Sequence, residues 1–367
     1  MTDTRLQAYA DFIVAYSIRV QLGDRVIIRG LTNAEPLLNE LYRSVLQAGG
    51  HPFYSLRFPQ TQELALKYGS QEQLSITSPV EQYMVENFDA LIFIQSESNT
   101  HNFTRVDGRK RMLLQKAEQP LLVQVMGKTA TGDFRWMSAL YPTEAYAQDA
   151  EMSLMEYEDY LFSACLSDMK DPVGYWKKVE TDQDDLIKRL GSIRELHVIG
   201  KATDLRIGIA GRKWINACSR QNLPDGEIHT GPEETKVDGY IAFSYPSLYK
   251  GKELKGIKLW FEKGKVVKAA AEKNEEYLHQ VIDTDAGSSY LGEFAFGTNP
   301  MINEYTGQIL IDEKMGGTIH LALGNGYPQT GSKNRSAVHW DLIFNARTAT
   351  EVFGDGNCIF RNGKFLV

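Results

Sequence analysis

The chain has 367 residues, with 40 Lys and Arg against 47 Asp and Glu, a net charge of -7 at neutral pH. That length exceeds what one hydrophobic core usually fills, so two domains are expected. The acidic balance argues against a nucleic-acid partner, because phosphate recognition depends on clustered Lys and Arg.

The opening stretch MTDTRLQAYADFIVAYSIRV reads as an amphipathic helix, with acids and polar residues where a secretory leader needs a basic start and an unbroken apolar core. No window approaches the roughly 20 apolar residues of a membrane span. Cys165, Cys218 and Cys358 are odd in number and form no CxxC pair, which fits thiols in a reducing, cytoplasmic setting rather than a disulfide framework.

Strand-like RVIIRG then precedes helix-like AEPLLNELYRSVLQAGG, whose two glycines supply a stop. The strand HPFYSLRF, a helical region with EQYMVENF, the strand DALIFIQSE, the helix VDGRKRMLLQKAEQ and the strand PLLVQVMG follow. Alternation of this kind predicts an α/β domain with a mainly parallel sheet, over residues 1–185. Neither GxGxxG nor a P-loop follows the first strand. The polar stretch QSESNTHN at 95–102 could line a cleft, although Ser, Asn and Thr after a strand are common helix caps. Helical YPTEAYAQDAEMSLMEYEDYLFSACLSDM and the charged ETDQDDLIKRLGSIR lead to a domain boundary expected near 180–190.

Beyond it, short alternating runs dominate: ELHVIG, DLRIGIA, GYIAFSYP, KGIKLWFEKGKVVKAAAEK, YLGEFAFG, GGTIHLALG, SAVHWDLIF and CIFRNGKFLV. The turns EKGK and RNGK are hairpin signals. An α+β domain dominated by antiparallel strands is therefore expected over 186–367, with one helix at NEEYLHQVI.

Several of these runs carry isolated charge. In SAVHWDLIF, a period of two puts His339 and Asp341 on one face and Val338, Trp340, Leu342 and Phe344 on the other. Glu293 is the lone carboxylate of YLGEFAFG, and His320 the lone ionisable group of GGTIHLALG. Glu227 and His229 follow a Pro-Asp-Gly turn in NLPDGEIHT. Each alone reads as an ordinary satisfied or solvated residue. Together, Glu227, Glu293, His320, His339 and Asp341 make a nitrogen and oxygen ligand set suited to zinc, cobalt or manganese, and numerous enough for two ions sharing a carboxylate. Such centres polarise a carbonyl and activate water. Tyr327, in the glycine-rich loop after His320, could donate to a developing oxyanion or simply pack over a turn.

The ordered blocks NLPDGEIHTGP, YLGEFAFG, GGTIHLALGNGYP and SAVHWD resemble the metallo-aminopeptidases of the aminopeptidase T and aminopeptidase S type. The resemblance implies that Glu227, Glu293, His320, His339 and Asp341 bind two divalent ions, with zinc, cobalt or magnesium associated with activity. It also implies a catalytic Tyr327, and Glu293 or a neighbouring carboxylate as the group that moves a proton. Small peptide substrates, broad side-chain preference and a homodimer with enclosed active sites are implied as well. One departure concerns Glu313 in IDEKMGG, which stands further before His320 than the extra glutamate of some members. It is left open as a sixth ligand, a supporting group or a surface charge paired with Lys314. The rival reading is a ring-cleaving dioxygenase of the dihydroxypyridine type, in which His320, His339 and Asp341 would hold one ferrous ion. The carboxylates Glu227 and Glu293, needed for two ions and not for one, favour the peptidase.

Overall fold

The computed structural model describes residues 3–165 and 170–367. Two compact units are present, one of Met1–Val173 with Ser219–Pro224, the other of Gly174–Cys218 with Asp225–Val367.

The first unit is built on a five-stranded parallel sheet. Arg25–Leu31 is its second strand, paired with the edge strand His51–Arg57 on one side and the middle strand Ala90–Gln95 on the other; Arg135–Leu140 and the short Asn222–Leu223 complete it. Val26, Ile27 and Ile28 are all buried, as expected of a strand covered on both faces. The expected strand PLLVQVMG is not one. It belongs to the single helix Gly108–Thr131, which carries Pro120 in its interior and ends on the left-handed Gly132. A short apolar run does not by itself separate strand from helix, and here the helix continues through Pro120. Leu122 and Val123 are exposed on this helix, while the sheet position is taken by Arg135–Leu140, with Met137, Ala139 and Leu140 buried.

In such sheets ligands bind where the strand order reverses, here between Arg25–Leu31 and Ala90–Gln95. There Asn33 and Ser96, each just after one of the two strands, bond to one another. Asn33 Nδ2 donates to the Ser96 carbonyl at 2.6 Å and Ser96 Oγ donates back to Asn33 Oδ1 at 3.0 Å. Beside them, Glu97 Oε2 is buried with no hydrogen-bond partner among the described residues. Burial raises the Glu97 pKa. Holding that carboxylate charged therefore costs stability, an effect absent below the unfolded pKa, growing as pH rises from there to the folded pKa, and complete above it. Glu97→Gln is expected to raise Tm at about pH 7 and to leave it unchanged at about pH 4, by thermal melts of both proteins. A Tm that falls at neutral pH would refute this.

The second unit begins earlier than the expected boundary near 180–190. The charged stretch read as an exit is one helix, Pro172–Leu190, whose acidic side chains face water while Trp176, Gln183 and Leu190 are buried. Eight antiparallel strands form one sheet and five another, with the helix Glu275–Ile282 as expected. A shared apolar cluster runs from Leu196 and Val198 to Phe294, Phe296, Trp340 and Phe344. The two glycine turns close hairpins, Lys263-Gly264 and Asn362-Gly363 both having positive φ. No helix among the described residues is long and apolar enough to cross a membrane.

Candidate metal centre

The five-stranded sheet of the second unit runs in the order His339–Phe344, Ile319–Gly324, Leu291–Gly297, Glu227–Thr230, Trp214–Ala217. Alternation sends Ile228, Leu321, Leu323, Trp340 and Leu342 into the apolar cluster, and so Glu227, His229, His320, His339 and Asp341 onto the opposite face. Cross-strand register then brings them together. Asp341 is opposite Ala322, which is opposite Glu293, and His320 is opposite Ala295, which is opposite His229. The alanines leave room between the polar side chains.

From Glu293 to Phe296 alternation holds, Phe294 and Phe296 entering the core and Glu293 with Ala295 facing the other way. Leu291, three residues before Phe294, also points into the core, because the register shifts between Leu291 and Glu293 at a β-bulge. Gly292 permits it, since a Cβ there would meet the Asn325 carbonyl oxygen at 2.3 Å.

The resulting cluster has the spacing of ion ligands. His320 Nε2 lies 3.4 Å from Glu227 Oε2 and 3.6 Å from Glu293 Oε1, and His339 Nε2 lies 3.6 Å from both Glu293 Oε2 and Asp341 Oδ2. Two donors about 2.1 Å from one tetrahedral ion stand about 3.4 Å apart, so these separations suit a shared cation. Glu227, Glu293 and His320 form one candidate ligand group, Glu293, His339 and Asp341 a second, and Glu313, His320 and Asp341 a third. Glu293 belongs to the first two, one oxygen toward each.

Outer contacts fix the rings. His320 Nδ1 lies 3.0 Å from the Glu313 carbonyl and His339 Nδ1 lies 2.8 Å from the Asn325 carbonyl. A carbonyl only accepts, so each Nδ1 carries the proton and each Nε2 is left to bind a cation, an arrangement typical of metal histidines. Asp341 Oδ1 is buried with no hydrogen-bond partner among the described residues. Buried carboxylates without donors call for a cation, so the residues fit the metal that the sequence implies.

Residues that the sequence left open or missed complete the centre. Glu313 is not a surface charge, and neither is Lys314, which is 1% exposed. His229 faces Glu227 Oε1 at 3.1 Å and Glu293 Oε1 at 3.6 Å. Asp225 is buried beside Lys314. Gln183, from the helix misread as an exit, donates to the Glu227 carbonyl at 2.9 Å and so anchors that strand. The one legible signal was the unbroken Asp-Glu-Lys run, which reads equally well as a solvated turn. Tyr327 packs against both His229 and His339, ring centroids 5.5 and 5.2 Å apart, with Oη 3.5 Å from His339 Nε2.

Electrostatics in the metal-free site follow from burial against mutual attraction. Burial opposes charge on His320, but the Glu293 and Glu227 carboxylates prevail and push it up to about 9. Burial pushes Glu313 up to about 7, against the pull of Lys314. Burial disfavours the Glu227 carboxylate too, yet Lys314 and the histidines hold it well below its ordinary range. Burial, then Glu293 and Asp341, raise the Tyr327 phenol well above its usual value. Side-chain exposure rises from 1% at His320 and 4% at Glu293 to 29% at His339, marking the side open to solvent.

A model of the thermophilic metalloprotease family M29 matches residues 2–365. The chain belongs to that family. Aminopeptidase AmpS of Bacillus subtilis is 24% identical over 417 aligned positions, covering 98% of each chain. Aminopeptidase T of Thermus thermophilus is 30% identical over 263 positions, and that aligned stretch spans 63% of each chain. Among solved structures, wild-type AmpT from Thermus thermophilus superposes with a TM-score of 0.86 at 22% identity, covering 99% of both chains. A 2,5-dihydroxypyridine dioxygenase from Pseudomonas putida shares the fold at a TM-score of 0.60 and 13% identity, covering 100% of this chain and 98% of its own. The fold alone is thus common to both chemistries weighed from the sequence.

Proposed function

We propose that this metalloprotease-family chain is a metal-dependent aminopeptidase that removes the N-terminal residue of small peptides at a centre of two divalent ions. The observation that carries the two-ion reading is Glu293, whose Oε1 faces His320 and whose Oε2 faces His339, each at 3.6 Å. The relatives' names as aminopeptidases support the peptide substrate. Glu227, Glu293 and His320 would hold one ion, and Glu293, His339 and Asp341 the other. Zinc, cobalt, manganese and magnesium are the candidates by donor type. Bound there, the ions would polarise the scissile carbonyl and lower the pKa of water from 15.7 to about 7.

The chain's own residues do the rest. A carboxylate shared by two cations is a poor base, so proton transfer falls to the neighbouring Glu313, which stands beside His320 and Asp341 with Oε1 2.8 Å from the Lys314 ammonium. Tyr327 keeps its phenolic proton across the working range and donates it as a hydrogen bond to the tetrahedral oxyanion. His229, against Glu227 and Glu293, holds both carboxylates in place. Cys165, Cys218 and Cys358 form no disulfide among the described residues, which supports a cytoplasmic setting. A homodimer belongs to the same reading, supported by exposed Phe53, Tyr54, Leu56 and Phe58 along the edge strand His51–Arg57.

Metal analysis together with a panel of aminoacyl amides and dipeptides tests this. Two ions per chain, hydrolysis lost on chelation and restored by zinc, cobalt or manganese, is the expected outcome. One tightly bound iron per chain, and no peptide cleaved under any added metal, would replace the peptidase by the dioxygenase.

A further inference from the structure

The centre contains a cation of its own. Lys314 Nζ lies 2.8 Å from Glu227 Oε2, 2.8 Å from Glu313 Oε1 and 3.7 Å from Asp225 Oδ1. At 1% exposure it is among the largest fully buried side chains. A buried ammonium is costly unless paired, and removing it would leave its carboxylates uncompensated.

We propose that Lys314 is a positioning residue of the metal centre: its ammonium holds one oxygen of Glu227 and one of Glu313 and sets the charge that the ions must balance. The inference rests on the two-ion reading above. Asp225, Glu227 and Glu313 all face this ammonium, which offsets their charge before any ion binds. Without Lys314 that offset is lost. Because Glu227 Oε2 faces Lys314, Glu227 would serve one ion, while Glu293, with one oxygen toward each of two histidines, would serve both.

The backbone is arranged to keep the ammonium where it is. The short helix Ile309–Asp312 is closed by Asp312 Oδ1, which accepts from the Thr306 N–H at 2.8 Å and from its hydroxyl at 2.7 Å. Lys314 N–H donates to the Ile311 carbonyl at 3.0 Å, and the Lys314 carbonyl accepts from Asn299 N–H at 3.1 Å. Asn299 Nδ2 in turn donates to the Asp225 carbonyl at 2.8 Å. The preceding residue orients His320 through its carbonyl. Two consecutive residues thus fix two ligands: Glu313 orients His320 by its carbonyl, and Lys314 holds Glu227 by its charge.

The test uses the full chain, metal-free and zinc-loaded, as wild type, Lys314→Met and Lys314→Arg. Lys314→Met is expected to lower Tm more in the metal-free protein than in the loaded one, so that zinc raises its Tm further than it raises wild type. Its kcat should fall about 10- to 100-fold with a smaller change in KM, the usual scale for a group that orients metal ligands. Lys314→Arg keeps the charge with a different shape: its metal-free Tm should stay near wild type while the absorption spectrum of the cobalt-loaded protein changes. Equal Tm losses with and without zinc, or an unaltered cobalt spectrum in both variants, would reduce Lys314 to an ordinary buried ion pair and overturn the inference. If Lys314→Met does not fold in either state, the cobalt spectrum of Lys314→Arg decides. A wild type that binds fewer than two ions would instead count against the two-ion reading itself.

Discussion

Replacing Glu293 by glutamine is expected to reduce bound metal from two ions per chain to one or none and to lower peptide hydrolysis by more than about 10³-fold, since the shift of water's pKa that two ions provide is lost. The amide has nearly the shape of the carboxylate, so packing is conserved while one negative charge and one ligand oxygen disappear. Glu293 is 3% exposed and stands between His229, His320 and His339, with no neighbour able to take its place on both sides. In the metal-free protein burial opposes the Glu293 charge, but His229 and His320 outweigh it and hold the carboxyl below its ordinary range, so the same change should also lower Tm without metal at neutral pH. Metal content by mass spectrometry and turnover of an aminoacyl amide give the answer. Retention of two ions with a rate within about tenfold of wild type would remove Glu293 from the centre of the argument.

The second large effect concerns Tyr327. Tyr327→Phe should cost about 10²- to 10³-fold in kcat, the scale of one lost oxyanion donor, with KM and metal content little changed. The ring contacts with His229 and His339 survive in phenylalanine, which separates packing from hydrogen bonding. Because the phenol's pKa is raised by burial and by the nearby carboxylates, it stays protonated as pH rises. No tyrosine ionisation should therefore appear in the kcat profile below about pH 10. A variant of full activity would leave Tyr327 as packing over the turn.

Much of the centre was legible because strands obey a simple period. In EIHT, TIHLALG and HWDLIF, alternation alone tells which polar residue shares a face with which, and the apolar partners confirm the direction of the core. The parallel and antiparallel halves were legible for the same reason. The helix Gly108–Thr131 was not, since PLLVQVMG has no period that separates strand from helix, and its choice depends on Arg135–Leu140 filling the sheet. The boundary near 180–190 failed because the charged outer face of Pro172–Leu190 resembles a linker, while Gln183 on its inner face does its work by a contact to Glu227 far along the chain.

By itself, then, the sequence determined the two architectures and the five residues Glu227, Glu293, His320, His339 and Asp341 as a candidate ligand set. Only the tertiary structure decided how they meet. The bulge at Gly292 breaks alternation just before Glu293, so that Leu291 as well as Phe294 enters the core, and it depends on close approach to Asn325. The Asp-Glu-Lys run after Ile311 looks like a solvated turn until the fold buries it, because burial of a charge is set by what surrounds it and not by its neighbours in the chain.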